Sequence, residues 1–177
     1  KEDIDVAATK LSSYGVKVIA LACDVTTESG KEKLLEACDS PDILINNAGG
    51  PPPGIWSDWS RTDFINAIDA NMLTPIELIK KVLPIMIKNK WGRIVNITSQ
   101  AVKAPVPALG LSNSARTGLT GYVAGTSRQV ARFGVNINNL LPGMHDTKRL
   151  IDLDKALSKE KSISYEEARN SRKDTIP

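Results

Sequence analysis

The feature that most constrains the fold is an alternation. Four short apolar runs, "VKVIALACDV" (16–25), "DILIN" (42–46), "RIVNI" (93–97) and "VNINNLL" (135–141), are separated by stretches with helical spacing. Ahead of the first, "DIDVAATKLSSYG" sets Ile4, Ala7, Ala8 and Leu11 on one helical face and stops at Gly15. "TTESGKEKLLEAC" offers a Thr N-cap and an acidic first turn. A long pattern then runs from Ser60 through Phe64, Ile68, Met72, Ile76, Ile79 and Leu83 to Gly92, with Pro75 and Pro84 expected to kink it or bound its segments. A last helix leads to Phe133-Gly134. Strands that alternate with helices form parallel sheets, because a parallel connection needs a crossover. The chain is therefore expected to be α/β: a doubly wound, Rossmann-like parallel sheet in three α/β/α layers, with ligands at the carboxyl ends of the strands.

Size and composition narrow the function. With 177 residues, 41% of them hydrophobic, the chain buries one core and reads as a single domain over 1–177. Lys and Arg number 23 against 20 Asp and Glu, and the net charge of +3 is spread along the chain, so nucleic acid is not an expected partner. No apolar run approaches the roughly 18 residues of a membrane span, and no signal-peptide pattern opens the sequence. Cys23 and Cys38, 15 positions apart, make neither a zinc site nor a disulfide framework; buried thiols in a reducing cytoplasm are expected, with no metal. The sequon Asn96-Ile97-Thr98 ends an expected core strand and is discounted as a glycosylation site. None of the twelve glycines forms the G-x-G-x-x-G turn that admits a pyrophosphate, and the chain opens inside a helix and stops at Pro177, so truncation at both ends is expected.

Each apolar run ends in residues suited to a ligand: Asp24, then Asn46-Asn47-Ala48-Gly49, then Thr98-Ser99, then Pro142-Gly143. The ordered set "CDVT" (23–26), "NNAG" (46–49), Asn71, "GRIVNITS" (92–99) and "LLPG" (140–143) resembles the short-chain dehydrogenase/reductase family over nearly the whole chain. Within it, the sequence is most similar to 3-oxoacyl-acyl-carrier-protein reductases, in a divergent branch. The resemblance implies an NAD(P)-dependent oxidoreductase acting on a small carbonyl substrate, with NADP ahead of NAD. It implies that Asp24 and Val25 meet the adenine, that Asn47, Ala48 and Gly49 line the adenosine ribose, and that Pro142, Gly143, the His145 backbone and the Thr147 hydroxyl cover the nicotinamide side and phosphates.

The family's catalytic group is Asn, Ser, Tyr and Lys, the last two written Y-x-x-x-K. Asn71 and Ser99 match the first two. The Tyr is expected about 13 positions after the Ser, where Ser112 stands, and the Lys four later, where Arg116 stands; Pro142 lies 30 residues beyond Ser112, which supports the alignment. An aliphatic hydroxyl is far less acidic than a phenol, and Arg is protonated at any working pH, so the positioned acid is altered. Three readings follow. The chain is an oxidoreductase whose proton comes from a water held by Ser99, Ser112 and Asn71, or from His145; it is a nucleotide-binding pseudo-enzyme or regulatory subunit, with Arg116 still holding the ribose; or it is a fragment without cofactor.

The helix carrying these positions, "LGLSNSARTGLTG", is rich in poor helix formers. Ser114, Gly118, Gly121 and Gly125 make a nearly bare face, and the resemblance implies a homodimer or homotetramer through helices near 62–90 and 112–132. Trp56 and Trp59 either line the site mouth or anchor the Pro-rich loop. Residues 147–171 alternate charged and apolar positions in helical rhythm, and the resemblance makes them a substrate lid; "EEARNSRK" reads as a solvated helix face.

Overall fold

The computed structural model describes residues 2–174; Lys1 and Pro177, on which the expectation of truncation rested, lie outside the described residues. The chain divides into two compact units, Lys1–Leu141 and Pro142–Pro177. In the first, helix α1 (Glu2–Ser12) carries Glu2, Asp3 and Asp5 in its first turn and Lys10 in its last, the charge order a helix dipole favours. It is followed by a turn in which Gly15 takes a φ of +76°.

The expected first strand does not form. Residues 16–24 have no regular structure, and Val16 and Ile19 are more than half exposed. A β-rich run becomes a strand only when a neighbour completes its hydrogen bonds, and no described strand lies beside this one. Three strands remain: β1 (Ile43–Asn46), β2 (Gly92–Ile97) and β3 (Val135–Leu140), all parallel and in the order β1-β2-β3. Each parallel step needs a helical crossover. Helices α3 (Arg61–Ile68) and α4 (Thr74–Lys88) join β1 to β2, and α5 (Gly110–Val130) joins β2 to β3.

The core lies where α4 and α5 meet one face of the sheet. Ile79, Val82 and Met86 of α4, with Leu119, Val123 and Val130 of α5, close on Ile94, Val135 and Ile137, and all nine are buried. Strand alternation sends Ile43 and Ile45 to the other face, where they are 57% and 54% exposed. Helix α2 (Glu28–Ala37) starts at Thr27, whose hydroxyl accepts from Gly30 N at 3.1 Å. It is tied to α4 by buried Lys31 between Glu77 and Glu28, and by Lys81 to Glu28 at 2.7 Å.

The long helical pattern from Ser60 is split by a feature its spacing did not show. Ser60 and Asp63 form a capping box for α3, but residues Asp69–Leu73 take one π-helical turn before α4 begins. Pro75 stands at the start of α4, directly after the π turn, and Pro84 lies inside α4 on its exposed side. Gly134, with φ +76°, closes the turn into β3 in a left-handed conformation that few other residues adopt.

The second unit holds α6 (Lys148–Lys161) and α7 (Tyr165–Lys173), so the helical rhythm of 147–171 is realised. Arg172 Nε donates to Asp154 Oδ1 at 2.6 Å, and Asp154 is buried. Arg169 donates to Asp146 at 2.6 Å, which holds the Asp146 carboxyl below its ordinary range. A capping box of Ser164 and Glu167 starts α7.

Candidate functional site

The carboxyl ends of β1 and β2 and the first turns of α5 come together in the first unit. Four of the expected residues, Val25, Asn47, Ala48 and Asn71, line one cavity of about 190 Å³ with Arg116. Its remaining wall is mainly apolar, formed by Leu34, Leu44, Leu78, Leu119 and Pro75 among others. A cavity of this size takes part of a dinucleotide, not the whole.

Arg116 faces this cavity and is 8% exposed. It sits on α5 one turn beyond Ser112, and its Nε donates to Ser112 Oγ at 3.2 Å. Its Nη1 donates to Ile97 O at 2.8 Å and its Nη2 to Ala48 O at 3.5 Å. One rigid fork thus reaches the end of β2 and the turn after β1, a span the point charge of a lysine cannot match. Ser112 is itself buried at 7% exposure, and its oxygen is engaged by Arg116. A short side chain ends inside the helix packing where a phenol would extend further.

Asn71 lies in the π-helical turn at 4% exposure, and its Oδ1 has no hydrogen-bond partner; nor does Thr74 Oγ1, at 3% exposure. Both line the cavity. Two unmatched buried acceptors mark a place for a donor such as water. Ser99 caps a short 3₁₀ turn by accepting from Ala101 N at 3.1 Å. Thr98 beside it donates through both N and Oγ1 to Leu140 O, at 2.8 and 3.0 Å, pinning the end of β2 to β3.

Asp24 accepts from Thr26 Oγ1 at 2.7 Å and from Thr26 N at 2.9 Å, and these bonds lower its pKa below the ordinary 3.8. It thus stands on an irregular segment leading into α2, not at the end of a strand as the alternation implied. A Cβ at Gly49 would meet nothing within 4 Å, so space is open beside the NNAG turn. Trp59 packs on the start of α5: a Cβ at Gly110 would come within 2.3 Å of its ring. Trp59 therefore anchors the Pro-rich loop, with Gly54 N donating to Ala108 O at 3.0 Å, while Trp56 is 87% exposed. Gly118 packs against Met72 in the same chain, whereas Gly121 and Gly125 face open space, so only part of the bare face is free.

Pro142, Gly143, His145 and Thr147 belong to the second unit. There the His145 ring lies 3.1 Å from Gly143 O, a bond that forms when Nδ1 carries the proton, and Thr147 is the N-cap residue of α6 with no side-chain cap bond. Among the described residues no group of three or more His, Cys, Asp or Glu is placed to hold a metal ion, and no helix is long and apolar enough to cross a membrane.

One constellation escaped the sequence reading. Asn46 Nδ2 donates to Asn96 Oδ1 at 2.8 Å, Asn96 Nδ2 to Asn139 Oδ1 at 3.0 Å, and Asn139 Nδ2 to Thr120 Oγ1 at 3.3 Å. Thr120 Oγ1 in turn donates to Arg116 O at 2.8 Å. The three asparagines occupy one register across the sheet. The available signal was an Asn near the end of each of these strands.

The family model for short chain dehydrogenases matches residues 1–158. The chain belongs to this family. It is 32% identical over 171 residues to the uncharacterized oxidoreductase YxjF of Bacillus subtilis (strain 168), covering 93% of this chain and 66% of that protein. It is 32% identical over 120 residues to acetoacetyl-CoA reductase of Cupriavidus necator, covering 67% of this chain and 48% of the relative. The chain thus spans between about half and two thirds of the length of these relatives. Among solved structures, an actinorhodin polyketide ketoreductase with NADPH superposes with a TM-score of 0.84 at 26% identity, over 95% of this chain and 67% of that one. Sorbitol-6-phosphate 2-dehydrogenase from Erwinia amylovora shares the fold at a TM-score of 0.88 and 21% identity, over 99% and 72%. A parallel sheet flanked by helices, of Rossmann type, is common to them.

Proposed function

We propose that this chain carries the nucleotide-binding half-site of an NAD(P)-dependent oxidoreductase that interconverts carbonyl and alcohol, with 3-oxoacyl compounds as the substrate class and NADP as the preferred cofactor. The observation that carries this is the cavity at the strand ends, where Val25, Asn47, Ala48, Asn71 and Arg116 share one wall. Ketoacyl and acetoacetyl-CoA reductases among the relatives support the substrate class, and the NADPH of the ketoreductase structure supports the cofactor. The residues fit a nucleoside: Asp24 offers a carboxylate kept ionised by Thr26, Val25 an apolar edge, and Gly49 open space.

A bound nicotinamide supplies or accepts hydride; the protein's own task is the proton. No group at 112 can donate one as a phenol does, so a water held at the unmatched Asn71 oxygen serves instead. Loss of a positioned acid lowers the rate roughly 10²- to 10⁴-fold against relatives that keep it. A second reading, dinucleotide binding with little turnover, is favoured by the burial of Ser112 and its bond to Arg116. Cys38 is exposed and Cys23 only half-buried, not the buried thiols expected, because neither side chain is covered by the core; both are free, which supports a reducing compartment, and the open face at Gly121 and Gly125 supports a two-fold helix contact in a homodimer.

NADPH titration of the full-length protein, followed by NADPH oxidation with 3-oxoacyl substrates, tests this. Binding with slow turnover is expected. Tight binding without turnover replaces the first reading by the second, and absence of binding removes both.

A further inference from the structure

We infer that Thr120 and Asn139 are positioning residues for Arg116 and, through it, for the Ala48–Gly49 turn; this rests on the nucleotide-binding reading above. The hydrogen bonds from Asn46 to Asn96, Asn139, Thr120 and the Arg116 carbonyl all run one way, each amide donating to the next. The Arg116 guanidinium then turns back to Ile97 O and Ala48 O. The result is a closed circuit through β1, β2, β3 and α5 that surrounds the strand ends.

Packing alone does not call for this circuit. Asn139 and Thr120 are only half-buried, and a polar pair replaced on both sides by apolar groups of equal shape is often neutral in stability, so the two are not needed merely to fill the contact between β3 and α5. What they add is direction. Thr120 Oγ1 accepts from Asn139 of β3, a bond that sets the rotation of α5 against the sheet, and donates to the carbonyl one turn earlier in its own helix, which holds its rotamer. Arg116 lies on the same helical face, four residues before Thr120, so that rotation decides whether its fork meets Ile97 O at 2.8 Å. Arg116 then holds the loop that borders the cofactor cavity. Amide chains of this kind also polarise one another, so the circuit responds as a unit.

The test compares wild type, Thr120→Val and Thr120→Ser in the full-length protein, reading NADPH affinity, thermal midpoint and the ¹⁵N signal of the Arg116 Nε–H. Valine keeps the shape and loses both bonds; serine keeps both. Thr120→Val is expected to shift the Nε–H signal and weaken NADPH binding about three- to tenfold, the factor of one displaced hydrogen bond, with Thr120→Ser restoring both. A lowered thermal midpoint with unchanged affinity and an unmoved Nε–H signal overturns the inference, since a merely structural role gives that result. Should wild type bind no NADPH, the nucleotide-binding reading fails separately, and the Nε–H signal alone decides: moved by valine it supports the positioning role, unmoved it overturns it. Asn139→Leu, which leaves the Thr120 bond to Arg116 intact, carries the same readouts if Thr120→Val does not fold.

Discussion

Arg116 shows how a substitution visible in sequence differs from its consequence in space. The family resemblance implies a Y-x-x-x-K at 112 and 116, where the sequence has Ser and Arg; that both side chains are buried and bonded to each other was not legible from it. Burial of a polar side chain depends on where its partners lie, and Ile97 and Ala48 are 19 and 68 residues away. Arg116→Met, similar in length but without donors, is expected to lower unfolding stability by about 1–3 kcal/mol, the cost of removing a partner from buried polar groups. Urea unfolding measures it, and no loss would mean that the carbonyls find water instead.

At the scale of elements, local signals succeeded wherever the element is held by its own residues. The Thr27 cap, the Ser60 start and the glycine before β3 follow from side-chain chemistry within a few positions. The run at 16–24 failed because a strand is a shared object, and the π-helical turn at Asn71 was missed because the spacing of four through Phe64, Ile68, Met72 and Ile76 is also that of an unbroken α-helix. Helix α2 depends on one atom of space: a Cβ at Gly30 would fall 1.8 Å from Asp24 O. Gly30→Ala is therefore expected to cost more than the roughly 1 kcal/mol of a lost cap and to shift the Asp24 turn, visible in the backbone amide signals of residues 24–27. On α5, Gly121→Ala is expected to stabilise the monomer by about 0.5–1 kcal/mol because nothing opposes the new methyl. Gly118→Ala should show no such gain, costing about 1 kcal/mol as Met72 is displaced.

For the whole molecule, charge sets an acid limit. The carboxyls of Asp24, Glu28, Asp63, Asp146 and Glu167 all have pKa values lowered by hydrogen bonds, from Thr26, Lys81, Ser60, Arg169 and Ser164 respectively. A carboxyl lowered in the folded state binds fewer protons there than when unfolded. Its stabilisation is complete above its ordinary value, 3.8 for Asp and 4.5 for Glu, and is lost as pH falls through the lowered one. The thermal midpoint should hold near neutrality and drop below pH 4, with Asp24→Asn showing a shallower drop than wild type. Lys31, raised by Glu77, adds the opposite limit, losing its contribution only above 10.5.

The row of asparagines bears on how the sheet finds its alignment. Its members are 50 and 43 residues apart in sequence, so the strands meet late and without a tight turn to set their offset. Val, Ile and Leu side chains tolerate a slide of two positions along a parallel neighbour, since the inward face stays apolar. An amide does not: a slide of β3 by two residues in one direction would set Ile137 opposite Asn96 and leave a buried amide without a partner. The row thus works as a checksum on assembly, penalising misaligned sheets that greasy packing alone would accept.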